Sequence, residues 1–103
     1  MTLQEFHATL SHDEPPRQAS IALQALWWDA KDNWRQAHEA AGQDEGPAGA
    51  WVHAYLHRKE GDLSNARYWY KRADKTPATS SLEHEWQQIT ESLLADTGPN
   101  FIR

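Results

Sequence analysis

The chain has 103 residues, which is the size of one domain with a single core. Leu, Ile, Val and Phe together number only 15, whereas the chain has six Trp, three Tyr and 15 Ala. Each large aromatic side chain buries on the order of 150–250 Å², so Trp and Tyr can replace the missing aliphatic residues. One Val and three Ile are too few for an all-β protein, because strands draw on β-branched residues. The composition therefore predicts an all-α domain.

Charge and cysteine content exclude several classes of protein. The formal net charge of −5 argues against a general nucleic-acid binder, which normally presents a basic surface. No stretch approaches the roughly 18 apolar residues of a membrane span, and the N-terminus has no signal-peptide pattern. Without Cys the chain has no disulfide, thiolate–zinc site or iron–sulfur cluster. These features predict a cytoplasmic protein with neither nucleic acid nor membrane as partner.

Cap residues divide the first half of the chain into short helices. Thr2 begins a capping box, which predicts a short helix within an N-terminal extension at residues 1–14. A helical hairpin is predicted over residues 16–42. Its first helix, at about 16–31, has apolar residues on more than one side, so we expect it to be central. Its second helix begins after the cap residue Asn33.

The second half of the chain predicts another hairpin and a final helix. The second hairpin covers residues 47–77, with Pro47 in the first turn of its first helix and Asp62 capping its second. Ser80 has capping-box spacing, which predicts a last helix at 80–97 that covers the end of the stack. Single hairpins cannot bury their apolar faces, so we expect the two hairpins to stack in one domain.

The segment GDLSNARYWYKRADKTP resembles the second helix of a tetratricopeptide or Sel1-like repeat. The residues that carry the resemblance are the Gly61-Asp62 turn, Ala66, Trp69, Tyr70, Ala73 and Pro77. The match covers mainly residues 50–77. The resemblance implies a short array of antiparallel helix pairs. It also implies an interaction module that binds a protein or peptide and performs no catalysis.

The resemblance places a binding groove on the helix that begins at Pro47. The four side chains it contributes are Trp51, Tyr55, Arg58 and Lys59. Between His57 and Lys75 the local charge is +3, which favours an acidic partner. Two alternatives stay open. In the first, these charges belong to a solvated helix surface with ion pairs at i, i+4. In the second, an uncapped end of the helix stack forms a homodimer.

A second hypothesis is a metal-binding protein that uses two histidines on one helix face. His53 and His57 are four residues apart, and Glu60 follows three residues later, so a divalent transition metal could be their ligand. Zinc needs three or four ligands, so another helix must complete the site. The candidates for that role are His38, Glu39, His84 and Glu85. In the alternative interpretation the histidines pack between hairpins and hydrogen-bond to polar neighbours.

Sequence motifs of catalysis are missing. The five Gly are scattered rather than grouped in a phosphate-binding loop, and the G-x-S-x-G nucleophile motif does not occur. The segment HAYLH lacks the Glu that follows the first His in the H-E-x-x-H metalloprotease motif. We therefore expect no enzymatic activity.

Overall fold

The structure, a computed structural model, describes residues 1–96. Within this range the chain forms six α-helices and one 3₁₀ turn at Thr9–Ser11, and it contains no strand. The helices are α1 (Leu3–Ala8), α2 (Ile21–Ala30), α3 (Trp34–Gln43), α4 (Pro47–Lys59), α5 (Leu63–Ala73) and α6 (Leu82–Asp96). The predicted all-α class is confirmed. None of these helices combines the length and apolar character that crossing a lipid bilayer requires.

Three of the predicted helix starts are confirmed by hydrogen bonds that backbone N–H groups donate to side-chain oxygens. Thr2 and Glu5 form both bonds of a capping box at the start of α1. The side chain of Asn33 caps α3, and that of Asp62 caps α5. Each of these oxygens accepts a hydrogen bond from an N–H group that has no partner within its helix.

The predicted start of α2, the helix expected to be central, is wrong. The prediction placed it at about residue 16, but α2 begins at Ile21. The Ser20 side chain accepts a hydrogen bond from the N–H group of Leu23 and so fixes the first turn. Pro16 lies before the helix in a turn, where its carbonyl accepts from the N–H group of Ala19.

The predicted cap of the last helix is wrong by one residue. Ser81, not Ser80, accepts a hydrogen bond from the N–H group of His84. The carbonyl of Ser80 instead accepts from the guanidinium of Arg58, so the chain is held against α4 before the helix begins. The last residue of the predicted range 80–97 lies outside the described residues.

Helix α4 lies at the centre of the fold. It packs against α2, α3, α5 and α6, and consecutive helices also pack in the pairs α2 with α3 and α4 with α5. Helix α1 packs on α6. The largest fully buried apolar side chains are Trp27, Phe6, Leu23, Leu26, Leu56 and Ile89. Five alanines are also fully buried: Ala22, Ala25, Ala37, Ala41 and Ala54.

A buried carboxylate on α6 ties that helix to α4 and α5. Glu85 is 1% exposed and accepts from Nη1 of Arg58 at 2.8 Å. Its other oxygen accepts from the hydroxyl of Tyr70 at 2.5 Å. Burial, together with the hydrogen bond to Glu85, raises the pKa of Tyr70, so its hydroxyl keeps the proton that it donates.

A second buried carboxylate ties α2 to α4. Asp29 is 3% exposed and accepts from the hydroxyl of Tyr55 and from Nζ of Lys59, each at 2.8 Å. Burial and the charge of Asp29 raise the pKa of Tyr55, which therefore remains a donor. The two carboxylates fix the positions of α2 and α6 relative to α4.

Replacing Glu85 by Ala should destabilise the fold strongly. Arg58 and Tyr70 would lose their acceptor in a buried setting, and breaking such a pair typically costs about 3–5 kcal/mol. Urea denaturation measures this loss. The control is Glu91→Ala, an exposed position on α6, for which we expect a change within about 0.5 kcal/mol. Equal effects of the two substitutions would contradict the role assigned to Glu85.

Candidate metal centre

Three histidines from two helices lie together. His38 is on α3, and His53 and His57 are on α4. One ring nitrogen of each lies within 4.8 Å of the others. His53 and His57 are 8% and 7% exposed, and His38 is partly buried. The predicted pair on one helix face is therefore joined by a third imidazole from a neighbouring helix.

Two of these ring nitrogens face each other directly. Nε2 of His38 and Nε2 of His53 are 3.0 Å apart. Two nitrogen ligands at 2.0–2.1 Å from a tetrahedral zinc ion are separated by about 3.3 Å. A shift of a few tenths of an ångström would therefore let both rings bind one ion. Without an ion, one of the two nitrogens can donate a hydrogen bond to the other.

The third ring is oriented by a carboxylate. Oε2 of Glu60 lies 2.7 Å from Nδ1 of His57. Because an ionised carboxylate only accepts, Nδ1 of His57 donates this hydrogen bond, and in a neutral ring Nε2 then carries the lone pair. Nδ2 of Asn65 lies 3.4 Å from Nε2 of His57. This arrangement of carboxylate and imidazole is typical of metal-ligating histidines, in which the carboxylate fixes the ring.

Glu60 was predicted as a ligand together with His53 and His57. The structure places its Oε2 against Nδ1 of His57, so its contact is with one imidazole rather than with the group of three. His57, Glu60 and Asp62 form a second close group of donor atoms. Both carboxylates of that group are exposed, and Asp62 also caps α5. The group of three histidines is the better enclosed of the two.

Two of the three imidazole rings each stack on a tryptophan. Trp34 stacks on His38, with ring centroids 4.8 Å apart and an interplanar angle of 11°. Trp69 stacks on His53 at 4.0 Å and 2°. The indole N–H of Trp34 donates to the carbonyl of Leu56 at 2.9 Å, which fixes Trp34 against α4. Stacking therefore fixes the positions of the His38 and His53 rings.

The environment favours the neutral form of two of these rings. Burial, reinforced by the neighbouring imidazoles of His38 and His57, lowers the pKa of His53 to about 4. Burial and the neighbouring His57 also lower the pKa of His38, although the charge of Glu60 opposes that shift. Neutral imidazole is the form that binds metal ions, so both rings have lone pairs available at neutral pH.

The four predicted groove residues lie in different surroundings. Trp51 is partly buried, with Nζ of Lys75 4.2 Å from its ring centroid, and both residues line one cavity. Tyr55 and Lys59 line a separate cavity of about 350 Å³ and both bind the buried carboxylate of α2. Arg58 binds the buried carboxylate of α6. Tyr55, Arg58 and Lys59 thus contact neighbouring helices of the same chain, and partner binding by the four residues stays a prediction.

Sequence reasoning did not single out His38 among the four candidates for a third ligand. The loop between α3 and α4 has only three residues, 44–46, so the two helices run antiparallel where they pack. His38 and His53 are nearly equally distant from this loop, which brings them to the same level. That symmetry is the signal in the sequence that could have selected His38. No spacing in the sequence indicated that Trp34 and Trp69 would stack on His38 and His53.

No family model matches the chain, and no curated protein or solved structure matches it significantly. The chemistry of the three histidines is therefore derived from their own geometry.

Metal-free protein should lose stability as the pH falls from about 6.5 to about 4. The pKa of His53 is about 4 in the fold and 6.5 as a free side chain, so the unfolded chain binds more protons in this window. The resulting slope is at most about 1.4 kcal/mol per pH unit, and above the window His53 contributes no pH dependence.

Urea denaturation with EDTA at several pH values measures this slope. The matched variant is His53→Gln, which removes the ionisable group and should have a shallower dependence on pH. Identical slopes for the two proteins would contradict the burial of a neutral His53.

Proposed function

We propose that the protein binds one divalent transition metal ion, of the zinc class, through Nε2 of His38, His53 and His57. The observation that carries the proposal is the convergence of three imidazoles, two of which face each other at 3.0 Å. Three imidazole nitrogens are a ligand set that zinc uses. With no Cys in the chain, the site offers nitrogen donors, which suit Zn²⁺, Cu²⁺ and Ni²⁺.

Hydrogen bonding among the histidines accounts for less of this arrangement. When two neutral rings face each other, one ring nitrogen donates and the other accepts, so only one hydrogen bond forms between His38 and His53. Nε2 of His57 has only the amide of Asn65 at 3.4 Å, which is long for a hydrogen bond. A metal ion would use all three lone pairs at once.

The surroundings of the rings support metal binding in two ways. Glu60 accepts from Nδ1 of His57, so it raises the basicity of the ligating nitrogen and fixes the ring. Trp34 and Trp69 hold the other two rings in position, which lowers the entropy lost when an ion binds. The site is therefore preorganised.

The finer architecture belongs to the same proposal. The packing of α2 with α3 and of α4 with α5 supports two stacked hairpins similar to tetratricopeptide or Sel1-like repeats, with α6 against α2 and α4. In such a stack His38 belongs to the first hairpin and the other two histidines to the second. A bound ion would join the hairpins and would stabilise the fold, because it binds the folded chain alone.

Isothermal titration of tag-free protein with Zn²⁺ tests the proposal. We expect one equivalent to bind to the wild type. His38→Ala should bind at least about 100-fold more weakly, because losing a ligand exceeds the 10–100-fold cost of losing an outer partner. Alanine suits the α3 helix, and thermal unfolding followed by circular dichroism verifies that the variant folds.

The control is His84→Ala, which removes an exposed histidine on α6 and should leave the affinity unchanged. Less than half an equivalent of zinc in the wild type would overturn the proposed function. Equal affinities of His38→Ala and the wild type would also overturn it.

Replacing Glu60 by Gln distinguishes an outer partner from a ligand. Gln keeps an oxygen that accepts from Nδ1 of His57 but loses the charge, so we expect about tenfold weaker zinc binding. Glu39→Gln, an exposed position on α3, is the matched control. A loss as large as that of His38→Ala would show that Glu60 itself binds the ion.

A further inference from the structure

The three histidines leave one position of a tetrahedral ion without a protein ligand. Zinc takes four ligands in such sites. Among residues 1–96, the close group that contains His38 and His53 has only His57 as its third member. Oε2 of Glu60 contacts Nδ1 of His57 at 2.7 Å. The fourth donor must therefore come from elsewhere.

A cavity of about 320 Å³ adjoins the site at His53. Its walls include the ring of Trp69, the side chain of Arg72 and the loop between α3 and α4. The indole ring of Trp69 contacts both His53 and Arg72. Its centroid lies 4.0 Å from that of the His53 ring and 5.3 Å from Cζ of Arg72. A small molecule in this cavity would meet both an imidazole of the site and a cation.

Arg72 differs from the cations of α4. Arg58 and Lys59 each bind a buried carboxylate, whereas Arg72 contacts the hydroxyl and ring of Tyr68 and the ring of Trp69 within the described part of the chain. Its guanidinium therefore has no carboxylate partner there. The planar fork of a guanidinium matches a carboxylate in geometry, with two parallel hydrogen bonds.

The remaining charges of the cavity make anion binding depend on the metal. Asp44 and Glu45 line the same cavity as Arg72, which gives the three side chains a net charge of −1. Asp44 already accepts from the N–H group of Gly46 at 2.9 Å. A divalent ion at the histidines changes the sum to +1. An anion is thus repelled from the metal-free site and attracted to the loaded one.

We propose that a small carboxylate anion from solution enters this cavity and becomes the fourth ligand of the metal ion, with Arg72 as its cationic partner. This inference rests on the proposed metal site. The competing fourth ligand is Glu45, whose exposed side chain lines the same cavity. Ligation by Glu45 would close the site to molecules from solution.

Visible absorption of Co²⁺-loaded protein tests the proposal, with sodium acetate as the anion and perchlorate holding the ionic strength constant. We expect the cobalt bands to change saturably with acetate. Arg72→Gln should weaken acetate binding about tenfold, the value of one charge-assisted hydrogen bond, without changing the affinity for Co²⁺. The matched control is Arg67→Gln, an exposed arginine on the same helix that does not line this cavity.

Three other results would overturn the inference, and they separate it from the proposed function. If Co²⁺ binds but acetate does not change its spectrum, the anion does not reach the metal ion. The inference is then wrong, and the proposed metal site is unaffected. If Glu45→Gln changes the spectrum in the absence of acetate, Glu45 is the fourth ligand. If Co²⁺ does not bind at all, the metal site and the anion site both fall.

Discussion

Helix α4 is enclosed by neighbouring helices but carries many polar side chains. The rest of the fold depends on the hydrogen bonds and ion pairs that these side chains form. A buried polar group without a partner costs about 1–3 kcal/mol, and a charge costs more. Within residues 1–96, every buried side-chain nitrogen and oxygen has a hydrogen-bond partner. Partners on α3, α2 and α6 bind His53, Tyr55 and Arg58 and so fix the positions of three neighbouring helices, while His57 contacts Glu60 and Asn65.

The polar contacts of α4 are of two chemical kinds. Towards α2 and α6, Lys59 and Arg58 meet Asp29 and Glu85, and each charge is compensated by an opposite one. Such pairs fix the positions of the helices relative to one another. Towards α3, by contrast, imidazoles meet imidazoles. Neutral imidazole nitrogens are the donors that the proposed metal ion would use.

The sequence predicts the parts of this structure that depend on neighbours along the chain. The caps at Thr2, Asn33 and Asp62 are set by hydrogen bonds across three residues, and spacing alone reveals them. The face shared by His53 and His57 follows from one turn of helix. The all-α class follows from composition.

The sequence does not reveal contacts between residues that are far apart along the chain. Arg58 and Lys59 read as an exposed cationic face because their carboxylate partners lie 27 and 30 residues away. The third histidine had four candidates because spacing cannot choose between helices. Ser20 replaced Pro16 as the helix start because both residues suit a first turn, and only the folded chain decides which one is used.

The most direct test of the central claim is a crystal structure of the tag-free protein with Zn²⁺, with diffraction data collected above and below the zinc absorption edge. The proposed site predicts one anomalous difference peak, about 2.0–2.1 Å from one ring nitrogen of each of His38, His53 and His57. A peak between Glu60 and Asp62 without His38 and His53, or no peak beside the three rings, would contradict the claim.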